Sequence, residues 1–296
     1  MNDFSKYCND VDLFYDKAFN RNIGVLTEEE QKILRSSKIA IAGCGGVGGS
    51  HLIGLVRTGI GKFNIADMDD FDIANIQRQY GSSMDTLGKN KSDTMKEIAL
   101  SINPHLEIDS FNKGVDKQNI GEFLDGVDVL VDGIDFFCIE TRRLIFAEAK
   151  KRGIYSVTAG PLGFGSALLV FSPTSMSFDE YFDINDKMSW LEKLIAFAVG
   201  LAPASIHMKY CDLSKVDISA KTGPALVSSC HLCNTLIITE TLKILLSKKN
   251  LKPVPYYFQF DPYEQEYKKG YLLWGNRNPI QRLKRWYLFK TFSGKS

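Results

Sequence analysis

The stretch from Lys38 to Gln79 constrains this chain more than any other. KIAIA (Lys38–Ala42) is a short apolar run with the length and composition of a buried strand. Gly43, Gly45, Gly46 and Gly48 follow at once in G-x-G-G-x-G order. A helical pattern, HLIGLVRTG, leads to a second strand, KFNIA, which ends at Asp67. Strand, glycine turn, helix, strand and acid in that order form a nucleotide-binding βαβ unit. The glycines let the backbone turn sharply and approach phosphate. The helix N-terminus then offers unpaired N–H groups and a positive dipole end. Asp67 is placed to accept the ribose hydroxyls.

The residues after Asp67 separate the possible nucleotides. Asp69, Asn75, Arg78 and Gln79 come within a few positions, then Gly88, Lys89 and Lys91. A nicotinamide dinucleotide needs little positive charge beyond the helix end. A triphosphate carries more negative charge, which Arg and Lys are suited to neutralise. The cation cluster therefore points to ATP.

The order D-M-D-x-F-x-x-x-N-I-x-R-Q, then G-K-x-K, then D-G-I-D resembles the ThiF/MoeB adenylyltransferase family, which includes the ubiquitin-activating enzymes. The likeness runs from about Arg21 to Pro173, and more loosely to the helix near Glu240. It implies Mg-ATP-dependent adenylation of a carboxylate, commonly the C-terminal glycine of a ubiquitin-like or sulfur-carrier protein. It also implies a Rossmann-like, mainly parallel sheet with helices on both faces and antiparallel C-terminal strands. Carried over by position, Arg78 and Lys91 neutralise phosphate charge, and Asn75 and Gln79 hold phosphate oxygens or metal-bound water. Arg21, in FNRNIG, matches an arginine that in relatives crosses a dimer interface to the partner's ATP, so a homodimer is implied. Two further substrates remain open: threonylcarbamoyl-adenosine in tRNA, as for the dehydratase branch, and a small ribosomal peptide. A catalytically silent partner subunit of a heterodimer is the alternative outside catalysis.

The rest of the chain is read around that core. Residues 1–36 form an N-terminal extension. It contains a helix, TEEEQKILRSS, with Thr27 as N-cap and Glu30 three residues on. Residues 37–173 are the ATP-binding core. Its third apolar strand, VDVLVDGID, ends at Asp132 and Asp135. Ligands bind at the carboxyl ends of strands in such sheets, so both aspartates are expected beside the nucleotide, with Asp135 on Mg²⁺. Phe136 stands where the family pattern D-x-x-D-N has asparagine. Residues 174–222 are an aperiodic crossover with one apolar helix, expected to lie over the active site as a specificity segment. Residues 223–296 supply a long helix and a strand pair that complete the same domain, then a basic aromatic tail.

Composition narrows the remaining possibilities. With 36 Lys and Arg against 35 Asp and Glu, net charge is +1, so charge alone implies no nucleic-acid binding. No apolar run reaches membrane-spanning length; LIAFAVGLAPASI is short and carries a proline. The opening MNDFSKYCNDVDLFYD is mixed and acidic, unlike a secretory leader. Six scattered cysteines then predict a reducing, cytoplasmic setting. Cys230 and Cys233 make a single C-x-x-C on an apolar helix, too few ligands for a structural zinc. No cysteine stands near Ala220, where thioester-forming relatives place theirs. Cys211 and Cys230 are the nearest candidate thiols.

Overall fold

The computed structural model describes residues 4–293. The first three residues of the N-terminal extension and the last three of the basic tail lie outside it. Eight strands form one sheet: β1 (Lys38–Ala42), β2 (Lys62–Ala66), β3 (Glu107–Phe111), β4 (Val129–Asp132), β5 (Tyr155–Leu162), β6 (Gly165–Phe171), β7 (Tyr256–Asp261) and β8 (Glu266–Tyr271). Their order is β3-β2-β1-β4-β5-β6-β7-β8. Strands β1 to β5 pair in parallel, and β5 to β8 pair antiparallel. The mixed sheet expected from the sequence is therefore present.

The helices are α1 (Ser5–Asn9), α2 (Val11–Ala18), α3 (Glu28–Ser36), α4 (Gly48–Val56), α5 (Lys91–Ile102), α6 (Ile120–Phe123), α7 (Ile139–Lys151), α8 (Phe178–Phe182), α9 (Trp190–Leu201), α10 (Val227–Leu245) and α11 (Pro279–Phe292). The central strands are apolar on both faces because helices cover both. Ile39 and Ile41 join the core formed with α3, α4, α5 and α10, while Ala40 and Ala42 join the core of α6 to α9. Leu168 and Val170 against Leu169 and Phe171 repeat that alternation in β6. This is the period-two consequence of a strand with no solvent face.

Local chemistry sets the element ends. Thr27 and Glu30 form the expected reciprocal capping box at α3, with Glu30 N donating to Thr27 Oγ1 (3.1 Å) and Thr27 N to Glu30 Oε2 (3.0 Å). Ser177 and Ser189 do the same for α8 and α9. The switch to antiparallel pairing comes at a two-residue hairpin, Gly163-Phe164, between paired Leu162 and Gly165. Gly163 sits at φ +61°, and a Cβ there would meet the Tyr210 ring at 2.5 Å. The short helices α1 and α2 precede the helix that the sequence identified; their mixed aromatic and charged residues carry little periodic signal.

Candidate functional site

The carboxyl ends of β1, β2 and β4 converge on one edge. Gly43 leaves β1 at φ +91°, and its N–H donates to Ala66 O at 2.7 Å. A Cβ on Gly43 would lie 2.1 Å from Gly133 O, and one on Gly48 would lie 1.8 Å from Gly43 O. Those three glycines lock the β1 turn, the first turn of α4 and the end of β4 together. Gly45 and Gly46 differ. A Cβ on Gly45 would be 3.5 Å from Gln79 Nε2, and one on Gly46 would be 3.6 Å from the Arg78 side chain, both ordinary contacts. These two glycines thus have no backbone packed against them at Cβ distance, and the side chains of Arg78 and Gln79 lie beside them. Gly133 was not among the sequence candidates; its signal was the glycine in D-G-I-D.

The acids frame the loop. Asp67 is half-buried. Its Oδ2 accepts from Cys44 N (2.7 Å) and its Oδ1 from Asp69 N (3.0 Å). Burial pushes its carboxyl above the usual range, against these two N–H groups. Lys91, buried at the start of α5, reaches Asp69 Oδ2 at 3.1 Å. Asn75 Oδ1 accepts from Asp72 N (2.9 Å), capping the short 3₁₀ turn Ile73–Asn75 that aims Arg78 and Gln79 back at the glycines. Arg78 Nη1 donates to Ala74 O (3.1 Å) from the same turn. Gln79 is buried, and its Oε1 has no hydrogen-bond partner.

Asp132 departs from the expectation. It is buried, its Oδ2 accepts from Arg142 Nε at 2.8 Å, and its Oδ1 accepts from Ile134 N at 3.0 Å. The carboxylate points into the protein and holds a loop rather than facing a ligand. Arg142 was not read from the sequence. Its Nη2 also donates to the Ile134 and Asp135 carbonyls at 2.5 and 3.3 Å, and its guanidinium lies 4.4 Å from the Phe197 ring centroid. Arg142 and Asp132 together shape the turn that carries Asp135. Asp135 itself is exposed, with Oδ1 accepting from Phe137 N at 2.9 Å. Phe136, where the family pattern has asparagine, packs on Phe197 with ring centroids 5.5 Å apart. Phe136 thereby serves as an apolar anchor for α9.

The crossover returns to this edge through Lys221. Its Nζ lies 5.9 Å from the Trp190 ring centroid, and Trp190 Nε1 donates to Phe137 O at 3.2 Å. A cation from residue 221 therefore sits near the Asp135 turn, with no local motif to announce it.

The remaining candidates lie apart. The Arg21 turn is fixed by Asn22 Nδ2, which donates to Gln31 Oε1 (2.9 Å) and Thr58 O (3.3 Å), beyond the C-terminal end of α4. The glycine loop is at the other end of that nine-residue helix, about 13 Å away along its axis. Cys211 is half-buried, with its thiol pushed up by burial and by Asp261. Cys230 and Cys233 are buried, and Cys233 Sγ is 3.0 Å from Ser166 Oγ. Burial raises both thiols. Cys138, which the sequence reading passed over, is exposed at the start of α7. Among the described residues no group of three or more His, Cys, Asp or Glu is placed to hold a metal by protein ligands alone. No helix among them is long and apolar enough to cross a membrane.

A model of the ThiF family matches residues 19–278. The tRNA threonylcarbamoyladenosine dehydratase of Bacillus subtilis is 33% identical over 46% of this chain and 53% of its own length. The sulfur carrier protein ThiS adenylyltransferase of Escherichia coli is 27% identical over 50% of this chain and 58% of its own length. The chain spans about half the length of these curated relatives. The crystal structure of E. coli MccB with ATP superimposes with a TM-score of 0.62 at 17% identity, covering 90% of this chain and 73% of that one. At that identity the likeness is one of fold.

Proposed function

Because the chain belongs to the ThiF family, we propose that it adenylates a carboxylate with ATP, and that the carboxylate terminates a polypeptide, either a ubiquitin-like or sulfur-carrier protein or a small peptide. The observation that carries this reading is the frame over the glycine loop, where the side chains of Arg78 and Gln79 flank Gly45 and Gly46. Backbone N–H groups, a guanidinium and a buried lysine converge there on the space a phosphate chain needs.

The substrate carboxylate oxygen attacks the α-phosphorus. A new P–O bond forms, the α–β bridging bond breaks, and pyrophosphate leaves with the electron pair. No side chain has to act as nucleophile, so the chain contributes positioning and charge. Arg78 neutralises charge on the phosphates. Lys91 does the same once it shares its proton donors between Asp69 and phosphate. Asp67 holds the ribose with the lone pairs left over from Cys44 N and Asp69 N. Mg²⁺, when bound, would lower the cost of the phosphate charge. The residues fit it: Asp135 offers an exposed carboxylate, and the unpartnered Gln79 Oε1 is an acceptor for metal-bound water. Arg21, remote from the loop in its own chain, acts on the neighbouring site of a homodimer. The six unpaired thiols support a reducing, cytoplasmic setting.

A tRNA bearing threonylcarbamoyl-adenosine is the second reading. It is favoured by the cation excess at the C-terminal end, where residues 267–296 hold eight Lys or Arg and no Asp or Glu. Mg-dependent ATP–pyrophosphate exchange tests both. Exchange stimulated by glycine-ended carrier proteins or peptides supports the first, and exchange stimulated only by modified tRNA replaces it with the second. Tight ATP binding without exchange from any of them would assign the chain to a silent partner subunit.

A further inference from the structure

The side chains around the glycine loop are short of positive charge. Arg78 and Lys91 stand there with Asp67, Asp69 and Asp135, and Lys91 is already 3.1 Å from Asp69 Oδ2. Acids therefore outnumber cations before any phosphate arrives. A triphosphate in such a site needs further cations to offset like-charge repulsion. The crossover brings one.

Lys221 lies in a tight turn. Asp217 N donates to Thr222 O and Thr222 N to Asp217 O, both at 3.0 Å. Asp217 Oδ1 accepts from Ser219 Oγ at 2.6 Å and from Ala220 N at 2.8 Å. This closed turn holds Lys221 at φ +52°, a left-handed conformation that Gly and Asn adopt more readily than lysine. The side chain then extends to the face of Trp190, with Nζ 5.9 Å from the ring centroid. Trp190 is fixed in turn by its bond to Phe137 O and by stacking on the Phe137 ring, centroids 6.4 Å apart. Phe137 N donates to Asp135 Oδ1. The lysine, the indole and the Asp135 turn are thus one connected unit. Among the described residues the Lys221 ammonium has no carboxylate within ion-pair distance. Asp135, Asp69 and Lys221 all act on the Cys138 thiol, which gathers these charges around one point.

The chain after Lys221 crosses the loop. Gln77 Nε2 donates to Ala225 O at 3.4 Å, and Gln77 belongs to the turn that aims Arg78. Residues 221–225 therefore run from the turn after β4 to the turn after β2. In the sheet β1 lies between those two strands, so this path passes its carboxyl end and the glycines. Two strand spacings are about 10 Å, and five extended residues span up to about 17 Å. The segment has length to spare, and a Cβ on Gly223 at its centre would meet nothing within 4 Å. Beyond it, Cys230 in the first turn of α10 is close enough for Arg78 to act on its thiol.

We propose that Lys221 is a phosphate-binding residue, which the crossover delivers to the pyrophosphate end of ATP. This rests on the reading that the glycine loop holds ATP. Placement selects that end. Asp67, assigned to the ribose, follows β2, whereas Lys221 stands past β4, on the other side of β1. Its neighbour there is Asp135, the acid assigned to Mg²⁺, and the unpartnered Oε1 of buried Gln79 lies at the same loop. A cation at this end also stabilises the charge that gathers on pyrophosphate as the α–β bridging bond breaks.

Affinities of the full chain for ATP, AMP and inorganic pyrophosphate are read by displacement of a fluorescent ATP analogue in the presence of Mg²⁺. Lys221→Asn removes the charge and keeps a residue that tolerates the left-handed backbone. It is expected to weaken ATP and pyrophosphate by about tenfold and AMP by less than about twofold, with an unchanged unfolding midpoint. Lys221→Arg is expected to restore ATP to within about threefold of wild type. The side chain is exposed, so the loss in K221N should shrink as salt rises. Unchanged affinity for ATP and pyrophosphate in K221N, equal weakening of ATP and AMP, or a change confined to the KM of the acyl substrate would overturn the proposal. ATP–pyrophosphate exchange is measured separately. An ATP-selective loss in K221N without exchange from any substrate keeps Lys221 and removes the adenylation reading. Exchange in the wild type with unaltered nucleotide affinities in K221N keeps adenylation and removes Lys221. Failure of ATP to displace the analogue from the wild type removes both.

Discussion

Replacing Arg142 by Met isolates the ion pair that holds the Asp135 turn. The Arg142 and Asp132 side chains are 3% and 2% exposed and meet at 2.8 Å. Removing one partner of such a pair leaves a buried charge uncompensated, which costs about 3–5 kcal/mol. Against a total stability of about 5–15 kcal/mol for a typical domain, that is a large loss. Replacing both, in D132L/R142M, removes both charges from the apolar surroundings of Phe197, and double replacements of this kind are often near neutral. The carbonyls of Ile134 and Asp135 still lose their donor, so the double variant is expected to sit about 2 kcal/mol below wild type. Urea unfolding by linear extrapolation measures all three variants. The expected pattern is strong non-additivity, the double variant being more stable than either single one. A loss under about 1 kcal/mol in Arg142→Met, or a double-variant loss equal to the sum of the single ones, would refute the reasoning. In the double variant ATP binding should weaken even where the fold survives, because the turn carrying Asp135 has lost its brace.

Charge reversal in Arg78→Glu and deletion in Asp135→Ala are expected to abolish ATP–pyrophosphate exchange with no change in circular dichroism or unfolding midpoint; full activity in both variants would remove the assignment. Gly46→Ala, whose new methyl meets only the Arg78 side chain at 3.6 Å, should keep its Tm but weaken ATP binding by about tenfold, while Gly48→Ala, 1.8 Å from Gly43 O, should not yield folded protein. His51 is fully buried in α4, which pushes its imidazole down to about 3. The unfolded chain takes up a proton near pH 6.5 that the folded chain refuses, so stability is full above that pH and falls as pH drops toward 3. The loss is about 1.4 kcal/mol per pH unit, or about 2 kcal/mol by pH 5, and His51→Gln should remove that part of the slope in urea titrations. With a thiol-specific chromogenic reagent, Cys8 should react fast, Cys138 more slowly because partial burial and Asp135 push its thiol up, and Cys44, Cys230 and Cys233 only on unfolding; Mg-ATP should slow Cys138 further, three residues from Asp135.

The half of the candidate site that we assign to the nucleotide was legible because a phosphate chain is recognised by local backbone. Gly45 and Gly46 must come within a few residues of β1, and Arg78 and Gln79 can be aimed only by a turn just after Asp67, so spacing carries the information. Asp132 marks where that reasoning stops. Its position at a strand end followed from the fold, but its direction is set by Arg142 on the next helix, and position alone does not distinguish an acid that faces a ligand from one that braces a loop. Lys221 and β8 lie further out of reach. Each arrives at its place through pairings that span much of the chain, Lys221 by way of the crossover and Trp190, and β8 by three successive antiparallel steps from β5. The strand pair itself was visible as alternation in PYYFQFDPYEQEYKKGY, whereas its direction and open edge depend on which neighbour it meets. The nucleotide is one fixed molecule and selects a compact motif. Under the proposed function the carboxylate substrate is met by surface assembled from distant segments, which no short run of residues encodes.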